Sequence, residues 1–127
     1  THWDLKKGTP YVIGCSTELE QLIESEQIHK GITATAGGFY GPQGRVLRLG
    51  IQDSALNSKM DSFSFEGHRI TNLEMETSAI YGLGKLLGHH CLSMNAIIAN
   101  RANGTFSQDP YKAVDELILY TLNKLAQ

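Results

Sequence analysis

Apolar residues along the chain come in short bursts separated by polar, glycine-rich text, and the period of the bursts changes from one to the next. Pro10 to Cys15, PYVIGC, is a short apolar run entered from a Lys-Lys-Gly turn and predicts a strand. STELEQLIESE follows, with Thr17 and Glu20 spaced as a capping box, and predicts a helix. Gly31 to Ala36, GITATA, is β-branched between glycines and predicts a second strand. Ile51 to Arg69 shows no clear period and reads as irregular chain with one short helix. Ile70 to Met75 resumes as a short strand, and Glu76 to Leu87 reads as a helix, with Gly88 where a left-handed terminal residue is wanted. Cys91 to Ala99, CLSMNAIIA, has the length and apolarity of a buried strand. Asp109 and Pro110 then supply an N-cap and a first-turn proline. In the final helix Val114, Leu117, Ile118, Leu122 and Leu125 make one apolar stripe.

Strand and helix thus alternate, which predicts a single α/β domain whose helices cover a largely buried sheet. Ligands in such folds collect beyond the carboxyl ends of strands. Three polar loops fall at such ends: TAGGFYGPQGRVLR after the GITATA strand, NLEMET at the end of the next, and the Asn100-Arg101 loop after CLSMNAIIA. The pattern therefore predicts one crevice built from three loops.

Composition narrows the classes. The chain has 127 residues, 41% hydrophobic and 19% charged, so an ordinary globular core burying roughly 65% of the unfolded surface is expected. Eleven Lys and Arg against thirteen Asp and Glu, scattered along the chain, give a net charge of −2 and no basic field for nucleic acid. Cys15 and Cys91 sit singly in apolar runs with no metal-ligand spacing, which fits free thiols in a reducing cytoplasm. No apolar run approaches the roughly 18 residues of a membrane helix. The chain opens on Thr1 in THWDLKKGTP, and the expectation is a piece of something longer.

The glycine-rich loop carries the first candidate chemistry. Gln43 offers an amide acceptor and two donors, and Arg45 a planar, permanently charged fork, so together they can read the carbonyl oxygens and ring N–H of a pyrimidine. Phe39 offers a face for such a ring. The competing reading is a surface loop with a solvated arginine. In NLEMET, Glu74 and Glu76 lie on one side of an extended segment and Met75 on the other, unless the backbone turns into the helix at Glu76, when Met75 and Glu76 share a pocket. A carboxylate suits the vicinal hydroxyls of ribose; the alternative is a helix start that favours acidic residues. GLGKLLG, Gly82 to Gly88, has the wrong spacing for a dinucleotide fingerprint and lies within a helix. His89 and His90 lack a third metal ligand, so no metal is expected, and His2 beside Trp3 stays ambiguous.

FYGPQGR and NLEMET in this order, followed by a strand ending IIANR, resemble the C-terminal half of a nucleoside phosphorylase. More narrowly they resemble the uridine phosphorylase branch of the hexameric family, over nearly the whole chain. The resemblance implies a three-layer α/β/α nucleoside-phosphorylase-like fold, here only its C-terminal half. It implies that Phe39 packs on base or sugar, that Gln43 and Arg45 bond the uracil edge, and that Met75 and Glu76 hold the ribose with Glu74 in support. Arg45, Gln43 and Glu76 would carry the chemistry. The purine branch places an aspartate where this chain has Asn100 followed by Arg101, a departure that favours pyrimidines.

The implied reaction is reversible phosphorolysis of uridine to uracil and ribose 1-phosphate, a pentosyl transfer of pyrimidine salvage. Phosphate is its co-substrate, no cofactor is implied, and a monovalent cation between subunits stays open. The family's phosphate loop and phosphate-binding arginines lie in an N-terminal half that this chain lacks, and its assembly is a homo-oligomer, a hexamer built as a trimer of dimers. Rival readings are a purine nucleoside phosphorylase or a nucleosidase on the same scaffold, and a non-catalytic nucleoside-binding module.

Overall fold

The computed structural model describes residues 9–127. Helix α1 (Thr17–Ile23) starts where Ser16, in extended geometry, accepts a hydrogen bond from the Leu19 N–H. The cap is therefore Ser16 and not the predicted Thr17 and Glu20 pair. Glu20 turns instead to Lys30, 3.0 Å away, which also pairs with Glu24.

Strand β1 (Ile32–Thr35) lies where the GITATA run predicts it. It pairs in parallel with β3 (His68–Glu74), in a register that sets Thr35 opposite Glu74. The irregular stretch between them contains the one short helix expected there, α2 (Leu56–Ser62), and also a strand not foreseen, β2 (Ser64–Phe65). β2 folds back antiparallel on β3 through a two-residue turn at Glu66 and Gly67, both at positive φ, which gives the order β1-β3-β2. The sheet thus extends β3 beyond its predicted start.

Helix α3 (Thr77–Leu86) follows β3 and ends as predicted: Gly88 is left-handed at φ 74°, and the His89 N–H reaches the Gly84 carbonyl at 2.7 Å. That is a Schellman termination, for which glycine carries no steric cost. Strands β4 (Ala99–Asn100) and β5 (Thr105–Phe106) form a separate hairpin. Helix α4 (Pro110–Leu125) is capped by Asp109, whose carboxylate accepts from the Lys112 N–H at 2.9 Å. α3 packs on β1, α2 on β3, and α1 against α4, an α/β arrangement in which each helix follows or faces a strand or its partner helix.

Two predicted strands do not form. Residues 10–15 and 91–98 belong to no ladder; a single backbone bond from Ser16 N to Cys91 O, at 2.8 Å, joins the two runs, and Tyr81 Oη holds Ser93 N at 2.7 Å. An apolar extended run becomes a strand only when a neighbour satisfies its N–H and C=O groups one after another, and among the described residues these runs gain isolated bonds instead, such as Ile98 O accepting from the Ser107 N–H at 2.7 Å. The apolar stripe of α4 also departs from expectation. The half-buried face is Ala113, Leu117, Tyr120, Thr121 and Lys124, with Tyr120 Oη donating to Ile23 O at 2.6 Å. Val114, Ile118, Leu122 and Leu125 remain exposed.

The core is correspondingly thin. Ile23 is the one buried hydrophobic residue among the described residues, beside the polar Gln43 and Thr77. The chain exposes 9938 Å², whereas a self-contained domain of its mass exposes roughly 6,700 Å². The apolar faces predicted to meet one another are thus largely uncovered. No helix among the described residues is long and apolar enough to cross a membrane.

Candidate active site

The parallel pairing of β1 and β3 brings their carboxyl ends side by side, and the Ala36 N–H extends the ladder by donating to Glu74 O at 2.9 Å. Two of the three predicted loops therefore leave the sheet from adjacent points.

The first loop is folded by its own backbone. The Tyr40 carbonyl accepts from the N–H groups of Gln43 and Arg45, at 3.1 and 2.9 Å, around a 3₁₀ turn at Gly41–Gln43 that opens with Pro42 in its first turn. Gly44 closes the turn at φ 72°, and a side chain there would run into Asn57, whose amide donates to the Gly44 carbonyl at 3.1 Å. Both facts call for glycine. This fold sets Arg45 over the ring of Phe39, its guanidinium carbon 3.7 Å from the ring centre, and the same guanidinium donates to Phe39 O at 2.6 Å and to Gln43 Oε1. Gln43 is 2% exposed. Phe39, half exposed, meets Tyr40 edge-on at 5.3 Å. Phe39, Gln43 and Arg45 thus form one interlocked unit, with Arg45 on the ring face that sequence reasoning reserved for a ligand.

The third loop joins this unit. Arg101 Nη1 donates to the backbone carbonyl of Gln43 at 2.7 Å, a contact spanning 58 positions of sequence. Burial pushes the Arg101 pKa down, and the nearby positive charge of Arg45 pushes it further. Two guanidiniums therefore hold one buried glutamine, Arg45 at its side-chain oxygen and Arg101 at its backbone carbonyl. Asn100 is occupied locally, its Oδ1 accepting from the Ala102 N–H at 3.0 Å.

In the second loop the three residues of Glu-Met-Glu separate. Glu76 stands at the N-terminus of α3 with φ −125° and ψ −34°, so the chain leaves extended geometry there. Glu74 faces inward: Oε1 accepts from the Thr35 hydroxyl at 2.5 Å, and Oε2 from the N–H groups of Glu76 and Thr77 at 2.6 and 2.5 Å. Burial raises the Glu74 pKa, but these donors outweigh it and hold the carboxyl below its ordinary value. Met75 and Glu76 remain exposed, with Glu76 Oε2 accepting only from the neighbouring Met75 N–H, at 3.2 Å, among the described contacts. Their side chains stand available while Glu74 fixes the turn that presents them.

Other motifs carry less. GLGKLLG starts within α3 and runs past its end at Leu86 to the left-handed Gly88, and a side chain at Gly84 would strike the Cys91 sulfur. Cys15 and Cys91 are free thiols, and burial with the nearby Glu20 raises the Cys15 pKa. His90 contacts Ser16 Oγ at 2.9 Å and Glu18 at 3.3 Å, and no group of three metal ligands occurs among the described residues. His2 and Trp3 lie outside the described residues. An open apolar trough of about 520 Å³, between Tyr11 and Ile13 and the Ala79–Leu86 face of α3, lies apart from the loops. Sequence reasoning missed Thr35, whose hydroxyl also accepts from the Ser78 N–H at 2.9 Å.

Comparison with known proteins bears on this geometry. The family model described as the phosphorylase superfamily matches residues 7–125. No curated protein matches the chain. Among solved structures, a nucleoside phosphorylase from Trypanosoma brucei, described as showing uridine phosphorylase activity, superposes with a TM-score of 0.78 at 27% identity. The alignment covers 96% of this chain and 45% of that one, so the chain spans less than half the length of that relative.

Proposed function

Since the chain belongs to the phosphorylase superfamily and has the α/β fold of a nucleoside phosphorylase over most of its length, we propose that it forms the nucleoside-holding part of a uridine phosphorylase. The reaction is reversible exchange of uracil for phosphate at the ribose anomeric carbon. One observation carries the reading: two of the three loops leave the sheet from the paired ends of β1 and β3, and the third is tied to the first by the Arg101 bond to Gln43.

Arg45 and Gln43 take the polar edge of the base, and Phe39 the adjoining surface. As the glycosidic bond lengthens, positive charge builds on the sugar and negative charge on the departing base, as in other glycosyl cleavages. A preorganised donor facing such charge commonly contributes about 3 kcal/mol. The guanidinium of Arg45 is held by Phe39 O and Gln43 Oε1, so it meets that charge with little reorientation. Glu76, with the Met75 backbone beside it, takes the ribose hydroxyls and fixes the sugar for in-line attack. Asn100, in place of the purine branch's aspartate, leaves no acid to protonate a purine ring, and the uridine phosphorylase activity of the Trypanosoma brucei relative favours the same substrate. The phosphate ligands come from a segment outside this chain, and the working assembly is a hexamer of three dimers.

The test is product analysis with the full-length protein that carries this chain. Uridine and phosphate together yield ribose 1-phosphate and uracil. Free ribose as the product, or turnover of inosine or adenosine alone, would overturn the reading.

A further inference from the structure

Thr35 is the last residue of β1, where the base-holding loop begins, yet its side chain belongs to the other loop. Its hydroxyl donates to Glu74 Oε1 at 2.5 Å and accepts from the Ser78 N–H at 2.9 Å, within the first turn of α3. Glu74 passes the constraint on through Oε2, which holds the N–H groups of Glu76 and Thr77. A single hydroxyl therefore fixes both ends of the turn that carries Met75 and Glu76. The register makes this possible, since Thr35 and Glu74 are direct partners in the parallel ladder. Serine would keep the hydroxyl; valine would keep the shape and remove donor and acceptor together.

We propose that Thr35 is a positioning residue for sugar recognition, acting through Glu74 to set where Glu76 meets the ribose hydroxyls; this rests on the function proposed above. The consequence is selective. The base contacts of Gln43 and Arg45 are held by their own loop and by Arg101, so loss of the Thr35 hydroxyl leaves them in place. The 2′-hydroxyl contact is loosened, and a site built to bond a hydroxyl discriminates through the accuracy of that bond.

The experiment compares uridine with 2′-deoxyuridine in the full-length protein, using the ratio of their kcat/KM values, which is independent of the folded fraction. In Thr35→Val that ratio is expected to fall roughly 10-fold, with KM for uridine raised and KM for phosphate unchanged. Thr35→Ser is expected to restore the ratio to within about 2-fold of wild type. An unchanged ratio in Thr35→Val, or failure of serine to restore it, overturns the positioning role while leaving the proposed function standing. Wild-type protein that turns over no nucleoside overturns the proposed function, and the role of Thr35 with it.

Discussion

The carboxyl end of the β1–β3 pair and the apolar flanks of the chain are built on opposite plans. At the first, Gln43 and Thr77 are buried, Glu74 satisfies three donors, and Arg45 and Arg101 are held by carbonyls of the same chain. At the second, Val12, Leu83, Leu86, Ile118 and Leu122 stand exposed, and two strand-like runs lack ladder partners. Local polar bonds shape the candidate site from within the chain, whereas burial of the apolar faces requires surface from elsewhere. Organisation of a site and stability of a fold are here carried by separate parts of the molecule.

The contrast can be broken at several levels. The largest effect is expected from the isolated 127-residue chain, which should release no ribose 1-phosphate from uridine and should bind the dye ANS strongly through its open faces. Measurable phosphorolysis by that chain would show that nothing further is needed. Next, in the full-length protein, Arg45→Lys loses the planar fork and should lower kcat/KM for uridine on the order of 100-fold. Glu76→Gln should lower it less, roughly 10-fold, mainly through KM for the nucleoside. Near-wild-type kinetics in both variants would remove these residues from the site.

The smallest effect concerns pH. Donors hold the Glu74 pKa below its unfolded value, so its contribution to stability is present above the ordinary carboxylate range and is lost as pH falls through the lowered folded value. The thermal midpoint of the full-length protein should therefore drop on acidification below about pH 4 by more than that of Glu74→Gln. Parallel curves for the two proteins would mean that the Glu74 contacts contribute nothing to folding.

What the sequence makes legible follows the range of the interactions involved. Gly88, the Asp109-Pro110 cap and the β-branched run of β1 act within a few residues, and each forms where its chemistry predicts. Residues 10–15 and 91–98 have the right apolar pattern but depend on ladder partners that pattern alone does not supply. Of the stripe read for α4 only Leu117 is half-buried, because packing against α1 engages a neighbouring face that carries the Tyr120 bond to Ile23 O. The β2–β3 hairpin is not legible because Glu66-Gly67 is not one of the usual turn dipeptides and the runs beside it are short and without a period. In the site, Gln43, Arg45 and Glu76 stand out by residue type. Thr35 does not, because its partner Glu74 is 39 positions away and a threonine in a strand looks ordinary.

The start of α3 also bears on where an inorganic anion can go. Helix beginnings commonly attract phosphate through open amides and a positive pole. Here the amides of Glu76 and Thr77 are already claimed by an internal carboxylate, the amide of Ser78 by a hydroxyl, and a second carboxylate stands exposed beside them. An incoming phosphate meets a neutralised pole guarded by negative charge. This corner is therefore better suited to neutral hydroxyls than to free anions.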